Sequence, residues 1–268
     1  MKPQASFHAG PAARIVIGVV VGLFFLIPLA ASLEFTLRDG DGHSGAHWAG
    51  ILDPAKAAAY APIWVGLTNS LMLMVTTVAI VLLVLAPTMI LINLRFPGLR
   101  RAFEFLALLP VTIPAIVLVV GLVPIYLVIG RTLGTGAWTL CFAYGILVLP
   151  FAFRSIQASI DATNLTTLAE AARSLGASWP TVVLRVIAPN LRSGLLAASL
   201  ISVAVVLGEY TIASLLNRQN LQTSLVVVNH QDPYVAKVFS LLALGFCFVL
   251  LLLISRIGQA RSPRKERP

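Results

Sequence analysis

The chain has 268 residues, of which 58% are hydrophobic and 11% charged. A water-soluble domain carries roughly 25% charged residues, so an apolar excess of this size must face lipid. The net charge of +9 is not gathered into one patch but lies in the gaps between apolar runs, which is the pattern of a membrane orientation signal and not of a nucleic-acid surface.

A spanning helix needs about 20 mainly apolar residues. In chain order such runs predict six spans, about 15–33, 66–93, 105–129, 134–153, 194–216 and 238–255. In hydrocarbon the backbone polar groups must be satisfied within the segment, so each run is read as helix. Pro28, Pro87, Pro110, Pro114, Pro124 and Pro150 are then kinks that neighbouring helices tolerate. The first run follows Arg14 and ends near Leu29-Ala30-Ala31-Ser32, as a cleaved signal peptide does. Its 19 uncharged residues exceed a usual signal core, and it is read as a retained span. Cys141 and Cys247 both fall inside apolar runs and read as small buried hydrophobes, not as a disulfide or a metal site.

Lys and Arg in the short loops set the orientation. With the N-terminus in the cytoplasm, fourteen of the 19 are inside, and only Arg38, Lys56, Arg131, Arg218 and Lys237 are outside. The reading is N-in and C-in, with a cytoplasmic tail at 1–14, a membrane domain at 15–255 and a basic tail at 256–268. The external segment 34–64 holds Asp39, Asp41, Asp53 and the pair His43 and His47. Its glycine-rich stretch reads as a solvated loop in preference to a metal site.

The cytoplasmic segment 154–193 has the clearest local grammar. Thr167-Leu168-Ala169-Glu170 fits a capping box, with Thr167 as N-cap. A short alanine-rich helix then runs to Leu175, and Gly176 stands where a helix ends in a left-handed residue. Ser178 and Pro180 open a second helix that stops near Pro189. The first helix is too short to be stable alone in water and needs a partner surface. Further on, Glu209 is the one acidic residue inside an expected span. A carboxylate there must be paired, hydrated or turned inward. Two readings stay open. It lines a solute path together with Tyr210, or it serves structure, pairing with a partner or capping a helix that breaks after Gly208.

Glu170-Ala171-Ala172, three residues, Gly176, nine residues, Val186, one residue, Ala188 and Pro189 together resemble the EAA motif of ABC importer permeases. The family has isoleucine and leucine where this chain has Val186 and Ala188; the Glu, Gly and Pro positions are intact. The resemblance covers roughly 65–253, including Thr68-Asn69-Ser70 and the stretch from Leu109-Pro110 to Pro114. It implies an all-α integral membrane protein of the type I importer kind, in the bacterial inner membrane. Its EAA loop would form a coupling helix that docks on a cytoplasmic ATPase dimer through Glu170, Ala171, Ala172 and Gly176. An extracytoplasmic binding protein would deliver the solute, and a second permease subunit would complete the pathway. The run from Gly208-Glu209-Tyr210 to Leu216 resembles the spermidine/putrescine branch, with similar runs in permeases for sulfate, molybdate and ferric iron. The expected solute is therefore polyamine-type, with ferric iron, an oxyanion or a sugar as alternatives. The chain has no Gly-x4-Gly-Lys-[Ser/Thr] loop. ATP and its magnesium ion are accordingly assigned to the partner, and no cofactor to this chain. A secondary transporter would call for several ionisable groups at mid-membrane. An intramembrane enzyme would call for a motif such as His-Glu-x-x-His, which the chain lacks.

Overall fold

The computed structural model describes residues 10–40 and 42–260, apart from the side chains of Pro11 and of residues 254, 255 and 257–260. Lys2, His8, Asp41, Arg261, Arg264, Lys265 and Arg267 lie outside the described residues. The chain divides into two units, Met1–Tyr60 with Val228–Ala243 and Ala61–Val227 with Leu244–Pro268.

In the first unit, α1 (Pro11–Leu37) runs unbroken through Pro28. A hairpin follows, β1 (Arg38–Asp39) against β2 (Gly42–His43), with Gly40 at φ +55° in its turn. Apart from these two two-residue strands, the regular elements of the described residues are helical, as expected. The Arg38 guanidinium donates to the Glu34 carboxylate at 2.9 Å, and His43 Nε2 lies 3.2 Å from the same carboxylate. Short helix α2 (Ala46–Gly50) carries His47, whose Nε2 is 3.0 Å from the Arg38 carbonyl and whose ring stacks on Tyr234. The two histidines thus turn to different partners.

From Pro54 one helical run of 42 residues reaches Arg95. It comprises α3 (Ala57–Ile80), a π-helical turn at Val81–Leu85 and α4 (Ala86–Arg95). At about 1.5 Å per residue it is roughly 60 Å long, twice a bilayer core, and it outruns the expected span. The third expected span is two helices, α5 (Arg100–Thr112) and α6 (Ala115–Thr132). Pro114 lacks an N–H and forces Ile113 into extended backbone. The charges Arg100, Arg101 and Glu104 on α5 leave α6 as the crossing segment, and Arg100 ties α5 to Asp161 at 2.6 Å.

Helix α7 (Cys141–Asp161) continues past the expected end at 153, so the segment read as a loop from 154 begins as helix. After it come α8 (Leu165–Ser174), α9 (Trp179–Thr181), a π-helical turn at Val182–Ile187, α10 (Ala188–Asn190) and α11 (Arg192–Gly208). The chain bends by 76° between Asn190 and Arg192. The fifth expected span breaks at Glu209-Tyr210, and α12 (Thr211–Leu215), α13 (Leu221–Asn229) and α14 (Pro233–Ala260) complete the order. Among the described residues, five helical runs are long and apolar enough to cross a membrane, six if the bent pair counts as one.

Both π-helical turns precede an Ala-Pro pair. The N–H of Ala86 bonds to Val81 O, and that of Ala188 to Val183 O. Each spans five residues instead of four. A proline inside a helix presses its ring on the carbonyl four residues back, here Leu83 and Arg185. Widening the turn relieves that clash without ending the helix.

The second unit is built around α7. Its Tyr144, Val148, Ala152 and Ile156 are fully buried. Against it α11 sets a stripe of small residues, Gly194, Ala198 and Ser202, all buried. A Cβ at Gly194 would stand 2.5 Å from Ser159 Cβ and 2.7 Å from the Ser155 carbonyl. Small residues let helices approach this closely, and close packing must do the work where lipid offers no hydrophobic drive between helices.

Candidate functional site

Two places hold the residues singled out from sequence. The first is α8. Its cap is not Thr167: the side chain of Asn164 accepts the Thr167 N–H at 3.3 Å, and the helix starts at Leu165. Asn164 is as good an N-cap as threonine, and the earlier start places Leu165, Ala169 and Ala172 on one stripe. Leu165 and Ala169 are buried with Val182 and Ile187 in the core, and Ala172 packs against them. Glu170 and Ala171 are exposed. Gly176, at φ +82°, closes the helix: Ala177 N–H reaches the Ala172 carbonyl and Gly176 N–H that of Arg173. This pair of bonds is the Schellman arrangement, which requires a left-handed residue. Arg173 donates to the Ala177 carbonyl at 2.8 Å and covers the Trp179 ring at 5.5 Å. The turn lifts Leu175 into the open, 89% exposed, with Trp179 and Leu184 also exposed.

The second place is the break after α11. Glu209 is 8% exposed and extended, φ −81° and ψ 122°. Its carboxylate accepts the Ile212 N–H at 2.8 Å, the Ala213 N–H at 3.3 Å and the Tyr144 hydroxyl at 3.0 Å. The first N–H groups of a helix have no partner within it, so a carboxylate here caps α12. Asn220, fully buried, donates to the Tyr144 hydroxyl at 3.0 Å and to the Glu209 carbonyl at 2.6 Å. Three polar groups of α7, the break and the return loop thus satisfy one another in an otherwise apolar core.

The far end of α12 repeats the turn of Gly176 with a different residue. Asn217, at φ 52°, takes the left-handed position, Arg218 N–H reaches the Ala213 carbonyl, and Asn217 N–H that of Ser214. The return loop is clamped onto α3. Asn69 donates to the Gln219 carbonyl at 2.9 Å, Ser70 accepts the Leu221 N–H at 2.9 Å, and Gln219 donates to the Pro62 carbonyl at 3.1 Å. A Cβ at Gly66 would meet Ser224 and stand 2.6 Å from the Asn220 carbonyl. Beside this clamp lies a cavity of about 560 Å³ lined by Tyr210, Ser214, Asn217, Arg218, Gln219 and Thr223 among others, with no carboxylate on its wall. The structure therefore separates two residues read as a pair: Tyr210 lines the cavity, and Glu209 does not. Tyr144 and Asn220 were missed as site residues because the groups of Glu209 they meet lie 65 and 11 residues away, and Arg218 because the cavity it lines is assembled from separate segments. The only sequence signal was the Tyr144 hydroxyl inside an apolar run; Asn220 sits in the polar stretch 217–224 and carries none.

Residues 83–268 match the family model for the binding-protein-dependent transport system inner membrane component. The chain is also similar to a "Probable ABC transporter permease protein y4fN" of Sinorhizobium fredii (strain NBRC 101917 / NGR234). The two are 25% identical over 280 residues, which cover 96% of this chain and 48% of that protein. The chain spans about half the length of this curated relative.

Proposed function

Since the chain belongs to the family of binding-protein-dependent transport system inner membrane components, multi-pass proteins of the inner membrane, we propose that it is the permease subunit of an ATP-driven solute importer. The observation that carries this reading is the tip of α8. A ten-residue helix, anchored by Leu165 and Ala169, presents Leu175 almost fully exposed beside Glu170 and Ala171. Leu175, Trp179 and Leu184, all exposed on this segment, are side chains that a groove on a partner would take up. The partner of this reading is a separate cytoplasmic ATPase that binds ATP and its magnesium ion. Its closure would move α8 and the bent helix α9–α10 as a lever on α11, a two-state element biased from both sides of the membrane.

A binding protein outside and a second permease unit complete the assembly. The relative is about twice as long as this chain, which leaves room for two such units. The polyamine-type expectation required a negative charge facing the path. Glu209 is engaged by the α12 cap and by Tyr144, and this supports a structural role for it over a pathway role. It equally removes the one ionisable group on which a secondary transporter would depend.

The test is to substitute Leu175→Asp and Glu170→Lys in the assembled complex. A leucine buried at an interface contributes about 2 kcal/mol, on the order of thirtyfold in affinity. ATPase copurification and stimulated hydrolysis should fall by about that factor with Leu175→Asp, while membrane insertion of this chain persists. Normal copurification and hydrolysis in both variants would refute the coupling role of α8.

A further inference from the structure

We propose that the cavity beside α12 is an anion-accepting station on the solute path, and that the solute carries an oxyanion group such as a carboxylate, sulfate or phosphate. The proposal rests on the permease reading and deepens it by naming the class of solute.

Arg218 is the cavity's only ionisable cation and no acid faces it. Arg38 and Arg100 each meet a carboxylate at 2.9 and 2.6 Å. Arg218 has no such ion pair among the described residues. Its Nε is buried and has no hydrogen-bond partner, and a buried donor of this kind calls for an acceptor. A guanidinium meets a carboxylate, sulfate or phosphate with paired hydrogen bonds, so an oxyanion is the acceptor its chemistry fits.

The way the site is built points to the same class of solute. Glu209 fixes one end of α12 and the left-handed Asn217 follows the other, so the five residues of the helix are held at both ends. The second turn throws Asn217 and Arg218 onto the cavity wall together. Gln219, whose side chain is tied to Pro62 and Ser224, and the hydroxyls of Tyr210, Ser214 and Thr223 complete a wall rich in neutral hydrogen-bonding groups. A diamine brought to this wall meets a like charge and no compensating carboxylate. The acid nearest in sequence is turned away into the α12 cap. A volume of about 560 Å³ suits a small solute.

The test reads the sign of the local field in the assembled complex without knowing the solute. With Cys141→Ala and Cys247→Ala as background, Ser214→Cys is reacted from outside with an anionic sulfonatoethyl and a cationic trimethylammonioethyl methanethiosulfonate. A unit charge at contact distance changes local concentration by on the order of tenfold. The anionic-to-cationic rate ratio at residue 214 should therefore exceed that of Thr135→Cys by about tenfold, and adding Arg218→Gln should return it to the Thr135→Cys value. Equal rates, a cationic preference, a ratio that survives Arg218→Gln, or no reaction with either reagent would each overturn the proposal. A second arm identifies the ligand released from the copurified binding protein: an anion supports the assignment, and a cation or an uncharged ligand overturns it. Failure of the permease reading is seen separately, as loss of ATPase copurification with the thiol preference intact.

Discussion

At the residue scale, the informative group is the carboxylate of Glu209. A lone acid in an apolar run poses one question, namely what its charge meets. The answer is two backbone N–H groups of α12 and the Tyr144 hydroxyl, with Asn220 bridging hydroxyl and backbone. Hydrogen bonds to a charged group contribute about 1.5–3 kcal/mol each, and stranding a buried partner adds its desolvation. Tyr144→Phe should therefore cost about 2 kcal/mol of stability in detergent melts, and Glu209→Ala about 3 kcal/mol. Because both remove parts of one network, the double variant should cost less than the sum by at least about 0.5 kcal/mol. Strict additivity would show that the two side chains act independently and that the network is only apparent.

At the element scale, the second unit is held by places where helices come too close for a side chain. A valine at Gly194 would have to occupy space held by Ser159 Cβ and the Ser155 carbonyl. Overpacking of this kind costs typically about 1–3 kcal/mol, so Gly194→Val should lower the melting temperature of the complex. Gly121→Ala, where a Cβ meets nothing, should be neutral or raise it slightly, since alanine is the better helix former by about 1 kcal/mol. Equal effects of the two would argue against close α7–α11 packing. The same elements show what the sequence could and could not disclose. Apolar run length gave away the spans, and Gly176 gave away its turn, because both are local signals. The α8 cap was misread because Asn164 and Thr167 are both competent caps and only packing of Leu165 decides between them. The third span was read as continuous because a proline in a membrane helix is as compatible with a kink as with a break, whereas a break after Gly208 in the fifth was one of two readings left open. Whether a carboxylate at such a break finds a partner 65 residues away, as Glu209 does in the Tyr144 hydroxyl, is a tertiary fact. The cavity around Arg218 is illegible for the same reason: its walls are drawn from α3 and the return loop, separated by about 150 residues.

At the scale of the whole molecule, α8 can meet an ATPase only if it faces the cytoplasm. The 21 residues of α7 make about 31 Å at 1.5 Å per residue, the thickness of a bilayer core. Its start at Cys141 and its end at Asp161 therefore belong to opposite sides, and so do the turns they lead to, residues 133–136 before it and α8 to Ser178 after it. The distribution of Lys and Arg favours one of the two orientations. Arg131 precedes the first turn, whereas Arg154, Arg173, Arg185 and Arg192 flank or follow the second, and basic residues stay on the cytoplasmic side. Thr135 and Ser178 are both exposed. In a background of Cys141→Ala and Cys247→Ala, Thr135→Cys should label with an impermeant thiol reagent added to intact cells. Ser178→Cys should label only after the membrane is opened. The reverse pattern would place α8 outside, where no ATP is available, and would remove the coupling role along with the permease mechanism built on it. Labelling of both residues from outside would mean that α7 does not cross, and the span count itself would fail.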